Sequence, residues 1–249
     1  MPMKTRPMRR TVPRFLASFA LLAACASPLV ARDSRADATP AAPTPPAPPG
    51  NAAPLPAVGD VVGKVQSFYD KTHSFKCDFT QEFFVKAYNQ KKTSKGKVTF
   101  SKPGKMEWIY DEPKDNRVVS DGTTLKVYEA QNRQMFEQQV DKSQYPAALS
   151  FLTGQGKLTD TFDFQVMSGQ QMNFPGGLVL VGTPKQPTPA YQKVLFYVDQ
   201  GTFQVRRVMV LDGQGNRNRF DFLNPRVNET VEPKQFTFIP PAGTTVVRP

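Results

Sequence analysis
Between Gly96 and Gln139 apolar side chains return at every second position, a period that places them on one face of extended strands. Val98 and Phe100 lead to Met106, Trp108 and Tyr110 across Lys102-Pro103-Gly104-Lys105, where proline presets the turn and glycine takes its left-handed corner. A third strand, Arg117 to Ser120, turns at Asp121-Gly122 into Thr124 to Glu129, in which Leu125 and Val127 alternate with Lys126 and Tyr128. Asn132 to Val140 supplies a further strand. One side of such a meander is large and apolar and the other is wet, which predicts a curved sheet with a greasy inner face.

The same period recurs downstream. Strands are predicted over Thr161 to Met167, Gly177 to Thr183, Lys193 to Asp199, Gln204 to Leu211 and Arg217 to Leu223, separated by turns such as Asp199-Gln200-Gly201 and Asp212-Gly213-Gln214-Gly215. Their apolar faces are carried by pairs such as Phe162 and Phe164, Leu178 and Leu180, Val208 and Val210, and Phe220 and Phe222. A first strand runs from Phe75 through Cys77 and Phe79 to Tyr88, so the total is roughly ten or eleven antiparallel strands, with no solenoid repeat. Val58, Val61, Val62, Val65, Phe68 and Tyr69 fall at helical spacing and predict a short amphipathic helix that needs a sheet to cover. Pro146 begins a second small helix, strongly apolar through Leu149, Phe151 and Leu152 and ended by Gly154, and Lys157 to Asp160 add another turn.

Residues 1–25 read as a secretory signal peptide, with cations from Lys4 to Arg14 ahead of an apolar run of about a dozen residues, too short to span a bilayer. Leu22-Ala23-Ala24-Cys25 has the form of a lipobox, which makes Cys25 a lipidation candidate; cleavage near Ala31 or Ala38 is the alternative. Residues 26–57 are a Pro/Ala-rich linker expected to be disordered and extended. Residues 58–249 remain as one domain, about 190 residues and enough for a sizeable core. The formal charge of +11 falls to about +6 once the five leader cations are set aside. Cys77 lies within an alternating apolar set and reads as a buried structural thiol.

Catalytic chemistry finds little footing, and no enzymatic activity, cofactor or metal is expected. His73 is the only histidine and sits at a helix-to-strand junction, and Ser150 lacks a nucleophile elbow. Carboxylates such as Glu107, Asp111, Glu112 and Asp121 fall at turns or on polar strand faces. The chain is instead rich in rings, with nineteen phenylalanines, seven tyrosines and one tryptophan, and bulky rings can hold open a space suited to flexible acyl chains. A plain filled barrel is the competing account. Seven lysines and no acid lie from Lys86 to Lys105, open to readings as a solvated hairpin edge, a docking patch for an acidic partner or anionic lipid, or a nucleic-acid site; the export signal argues against the last.

The pattern FSKPGKMEWIYDEPKDNRVVSDGTTLKVY and the closing EPKQFTFIPPAGTTVV resemble the LolA/LolB superfamily, in order from about Val58 to Val247. The resemblance implies a mainly β (α+β) fold, an incomplete antiparallel β-barrel of about 11 strands closed by a lid of short helices over a hydrophobic cavity. It implies a monomeric periplasmic carrier that shields acyl chains of lipoproteins between an inner-membrane lipoprotein-releasing ABC transporter and an outer-membrane receptor. Phe100, Met106, Trp108, Phe196, Met209 and Phe222 are candidates for the acyl-chain cavity, and Leu149, Phe151 and Leu152 for the lid. Lys102 stands where the family has an arginine that latches the lid. The alternative within the same fold is a lipoprotein receptor or lipid-binding protein anchored to the outer membrane through Cys25, for which Ala26 is a compatible sorting residue.

Overall fold
The computed structural model describes residues 54–142, 151–154 and 156–248. The expected first helix is α1, Val58–Asp70, with Val61, Val62, Val65 and Tyr69 buried on one stripe. Twelve strands follow: β1 Ser74–Val85, β2 Gln90–Ser101, β3 Lys105–Glu112, β4 Arg117–Asp121, β5 Thr124–Glu129 and β6 Gln134–Gln139, then β7 Phe162–Ser168, β8 Gly177–Pro184, β9 Lys193–Asp199, β10 Val205–Leu211, β11 Arg217–Val227 and β12 Thr245–Val247. The turn expected after the lid helix is α2, Leu158–Thr161, ahead of β7.

All twelve strands form one sheet in the order β12-β6-β5-β4-β3-β2-β1-β11-β10-β9-β8-β7. Two antiparallel meanders, β1 to β6 and β7 to β11, are joined where β1 pairs with β11. The strand beyond the roughly ten or eleven expected is β12, which pairs in parallel with β6 through Thr245, Val246 and Val247. That short strand was hidden because its partner is remote in sequence and three residues carry no readable period. The predicted continuation of the first strand to Tyr88 also fails at its end, where Lys86–Tyr88 form a 3-10 turn closed by Asn89 at φ 49°.

Trp108 on β3 and Phe220 on β11 are separated by three strand spacings, about 14 Å in a flat sheet. Their ring centroids are 5.3 Å apart, so the sheet curls strongly around its inner face. The edge strands β7 and β12 do not pair with each other, leaving an open, curled sheet rather than a closed barrel. The C-terminal segment crosses the outer face of the first meander. Gln235 donates to Thr99 Oγ1 at 3.0 Å, Lys126 donates to the Phe238 carbonyl at 3.0 Å, the Phe238 ring lies 5.4 Å from that of Tyr128, and Phe236 is buried.

Candidate functional site
Strand register sets which side chains share the inner face. Phe75, Cys77, Phe79 and Gln81 of β1 oppose Phe100, Val98, Gly96 and Ser94 of β2, which in turn bring Met106, Trp108 and Tyr110 of β3 into line. On the other side Phe79 and Gln81 oppose Phe222 and Phe220, followed by Val208, Phe196 and Leu180 on β10, β9 and β8. Glycine is required at 96, since a Cβ there would stand 2.0 Å from the Ile109 carbonyl oxygen.

Trp108 is the hub of this face. It is 0% exposed and makes ring contacts with Phe79, Phe100, Phe220 and Phe222 at centroid distances of 4.9, 5.7, 5.3 and 6.4 Å. Its indole Nε1 is buried without a hydrogen-bond partner, at a cost of about 1–3 kcal/mol for an unsatisfied donor. Below it the interior turns polar, where Tyr110 Oη donates to Gln81 Oε1 at 3.2 Å and Gln81 Nε2 donates to Asn218 Oδ1 at 2.9 Å.

A cover lies over the second half of this face. Tyr69 of α1 stacks edge-on against Phe151 at 4.9 Å, and Phe151 reaches Phe196 on β9 at 5.4 Å. Val205 N–H donates to Tyr69 Oη at 3.1 Å, and burial pushes the Tyr69 phenol well above its ordinary pKa. Gln66 Oε1 accepts the Leu158 N–H at 2.9 Å, which ties α1 to α2. The β2–β3 turn clasps the same cover, with Gly104 N–H donating to the Thr153 carbonyl at 2.9 Å. Lys102 Nζ donates to the Tyr69 carbonyl at the end of α1, and the lysine stem lies so close to Gly154 that a Cβ there would stand 2.7 Å from its Cδ. Burial pushes the Lys102 ammonium below its ordinary pKa, and the Asp70 carboxylate works against that shift.

Phe100, Met106, Trp108, Phe196 and Phe222 are thus on one face and all buried, and Phe151 and Leu152 are buried in the cover. Met209 is not with them. Alternation along β10 turns Val208 and Val210 inward and Met209 outward, where it pairs with Leu195 and Arg219 and packs on Val179, Val181, Leu195 and Tyr197. Side-chain parity, readable from Val208 and Val210 themselves, excludes Met209 from the interior. Leu149 and Cys25 lie outside the described residues. Tyr69, Phe79 and Phe220 also belong to this interior, and the alternating sets hold a signal for Phe79 and Phe220. A separate groove of about 610 Å³ lies beside the β1–β11 bulge, lined by Lys76, Lys97, Thr99 and Arg226 among others, and includes none of the cavity candidates. Among the described residues no cluster of three or more His, Cys, Asp or Glu is placed to hold a metal ion.

A curled, open sheet with an aromatic interior and a clasped helical cover defines the class. Residues 70–239 match the family described as outer membrane lipoprotein carrier protein LolA, and the chain belongs to that family. An outer-membrane lipoprotein carrier protein of Nitrosospira multiformis is 27% identical over 189 residues, 75% of this chain and 87% of the relative. Its counterpart in Cupriavidus necator is 27% identical over 200 residues, 79% of this chain and 92% of that one. The crystal structure of a LolA superfamily protein from Nitrosomonas europaea aligns with a TM-score of 0.44 and 13% identity over 74% of this chain and 99% of its own.

Proposed function
We propose that this protein is a periplasmic carrier that binds the acyl chains of lipoproteins against the inner face of its sheet and ferries them from the inner membrane towards the outer membrane. The supporting observation is the continuous apolar wall from Met106 to Leu180, roofed by a cover held at few polar points. The relatives named as lipoprotein carriers support the same reading. The surrounding rings pack directly on Trp108, so an acyl chain enters only as α1 and the 151–154 segment move away from β9 and the β2–β3 turn. Each methylene then buried contributes about 0.8 kcal/mol, which offsets the contacts broken by opening. Lys102 serves as the latch, a single ammonium in place of a planar fork. Cargo is received from an inner-membrane ABC transporter and passed to an outer-membrane receptor down a gradient of affinity, with no catalytic step in this chain.

Trp108 is the single tryptophan and lies at the centre of the proposed site, which makes it a built-in probe. A lipopeptide carrying brominated acyl chains is expected to quench its fluorescence, whereas the unbrominated lipopeptide competes the quenching away. Binding of the lipopeptide with Trp108 emission unchanged would reject the inner face as the site. This test is preferable to Trp108→Glu, which would bury a charge among four aromatic rings and confound binding with folding.

A further inference from the structure
The lysine-rich segment singled out in the sequence forms a projecting hairpin. Pairing of β2 with β3 stops at Lys95 opposite Glu112, while pairing of β1 with β2 continues to Val85 opposite Gln90. The tip therefore extends past its β3 neighbour and carries Tyr88 with 78% of its surface exposed. It is also held in place. Lys86 N–H donates to Asn216 Oδ1 at 3.0 Å, Asn216 Nδ2 donates to Asp212 Oδ2 at 2.7 Å, and the Lys86 stem lies against Gly215, whose added Cβ would stand 2.8 Å from Lys86 Cδ.

Cations outnumber carboxylates around the tip, and the nearby carboxylates are engaged, Asp212 by Asn216 at 2.7 Å and Glu112 by Lys95 at 2.8 Å. No acid occurs between Lys86 and Lys105. The nearby carboxylate of Glu82 is shared between Lys91 at 2.9 Å and Arg219 at 3.7 Å, and Arg217 stands 4.6 Å over the Phe84 ring. Lysines on an unpaired strand edge prevent edge-to-edge association, and that accounts for Lys91 and Lys92. It does not account for an exposed ring on a braced turn. A ring with a polar tip beside several cations is the combination that favours the headgroup layer of a membrane bearing negative charge.

We propose that the β1–β2 hairpin tip docks on an anionic phospholipid surface, with Tyr88 entering the headgroup layer and the flanking lysines facing the phosphates. A braced tip loses little freedom on docking. The surface lies outside the acyl-binding face, so the proposal stands independently of the carrier reading. The test uses the full chain with Cys25→Ser, purified from the host envelope, so that no acyl anchor contributes. Co-sedimentation is measured with phosphatidylcholine vesicles and with vesicles that also contain phosphatidylglycerol. Binding is expected on the phosphatidylglycerol vesicles alone and weakens as salt rises. Replacing Lys86, Lys91 and Lys92 with alanine is expected to cost about fivefold in affinity for each lysine that reaches the surface. Tyr88→Ser is expected to weaken binding while leaving its salt dependence unchanged. Equal binding to both vesicle types, or phosphatidylglycerol binding unmoved by the lysine variants, overturns the proposal. So does binding to polyglutamate with none to vesicles, which would assign the tip to an acidic protein instead.

Discussion
Cys77 shows how a residue that does no chemistry still leaves a measurable signature. It is 5% exposed on the inner face of β1, and burial, reinforced by the Asp78 carboxylate, pushes its thiol above the ordinary 9.0. In the unfolded chain the thiol ionises near that ordinary value, whereas in the fold it keeps its proton. The unfolded state therefore binds fewer protons above pH 9, and the stability present below that pH is lost as pH rises, by about 1.4 kcal/mol per unit. Tyr69 adds a similar loss above the ordinary phenol value of 10.0. Lys102 acts in the opposite sense below 10.5, because its ammonium is disfavoured in the fold. Denaturant titrations between about pH 9 and 10 should show Cys77→Ala to be flatter than the parent by most of that slope. Parallel slopes would mean that the thiol ionises normally in the fold.

At the scale of elements, the proposed carrier cycle turns on the contacts that hold the cover to the β2–β3 turn. Gly154 adopts φ +74°, and a side chain there collides with the Lys102 stem, which is itself fixed on the Tyr69 carbonyl. Gly154→Ala therefore strains the backbone and displaces the latch, at about 1 kcal/mol or more. Amide exchange at Val205, whose N–H is held by Tyr69 Oη, should accelerate in this variant, while strand amides such as Val98 keep their protection. Unchanged exchange at Val205 would show that Lys102 does not restrain α1. Lysine fits the space at position 102, where its one ammonium is directed at one carbonyl and its methylenes pack under the glycine.

For the whole molecule, the question is whether two meanders behave as one body. Among the described residues the two meanders share a strand pair only at β1 and β11, yet Trp108 and Phe75 of the first meander interlock with Phe220 and Phe222 of the second. Lys102 on the Tyr69 carbonyl, and Tyr69 on Phe151 and Phe196, add a second bridge through the cover. Unfolding is therefore expected to be a single transition, with Trp108 fluorescence and far-ultraviolet circular dichroism giving coincident midpoints. A fluorescence transition that precedes the loss of strand signal would show that the aromatic hub does not hold the halves together.

Much of this was written in the chain as local pattern. Alternation placed Phe100, Met106 and Trp108 on one face, helical spacing marked α1, and turn chemistry at Lys102-Pro103-Gly104 and Asp121-Gly122 set the hairpins, because each depends on residues a few positions apart. Parity along β10 likewise held the answer for Met209. What tertiary structure alone decided depends on remote partners. Only the curl brings Trp108 to Phe220, only the docking of α1 sets Tyr69 on Phe151 and its carbonyl on Lys102, and only the crossing of the C-terminal segment pairs Val246 with Met135. Sequence periodicity records which side of a strand is apolar; the element that comes to cover that side is settled by packing across long stretches of chain.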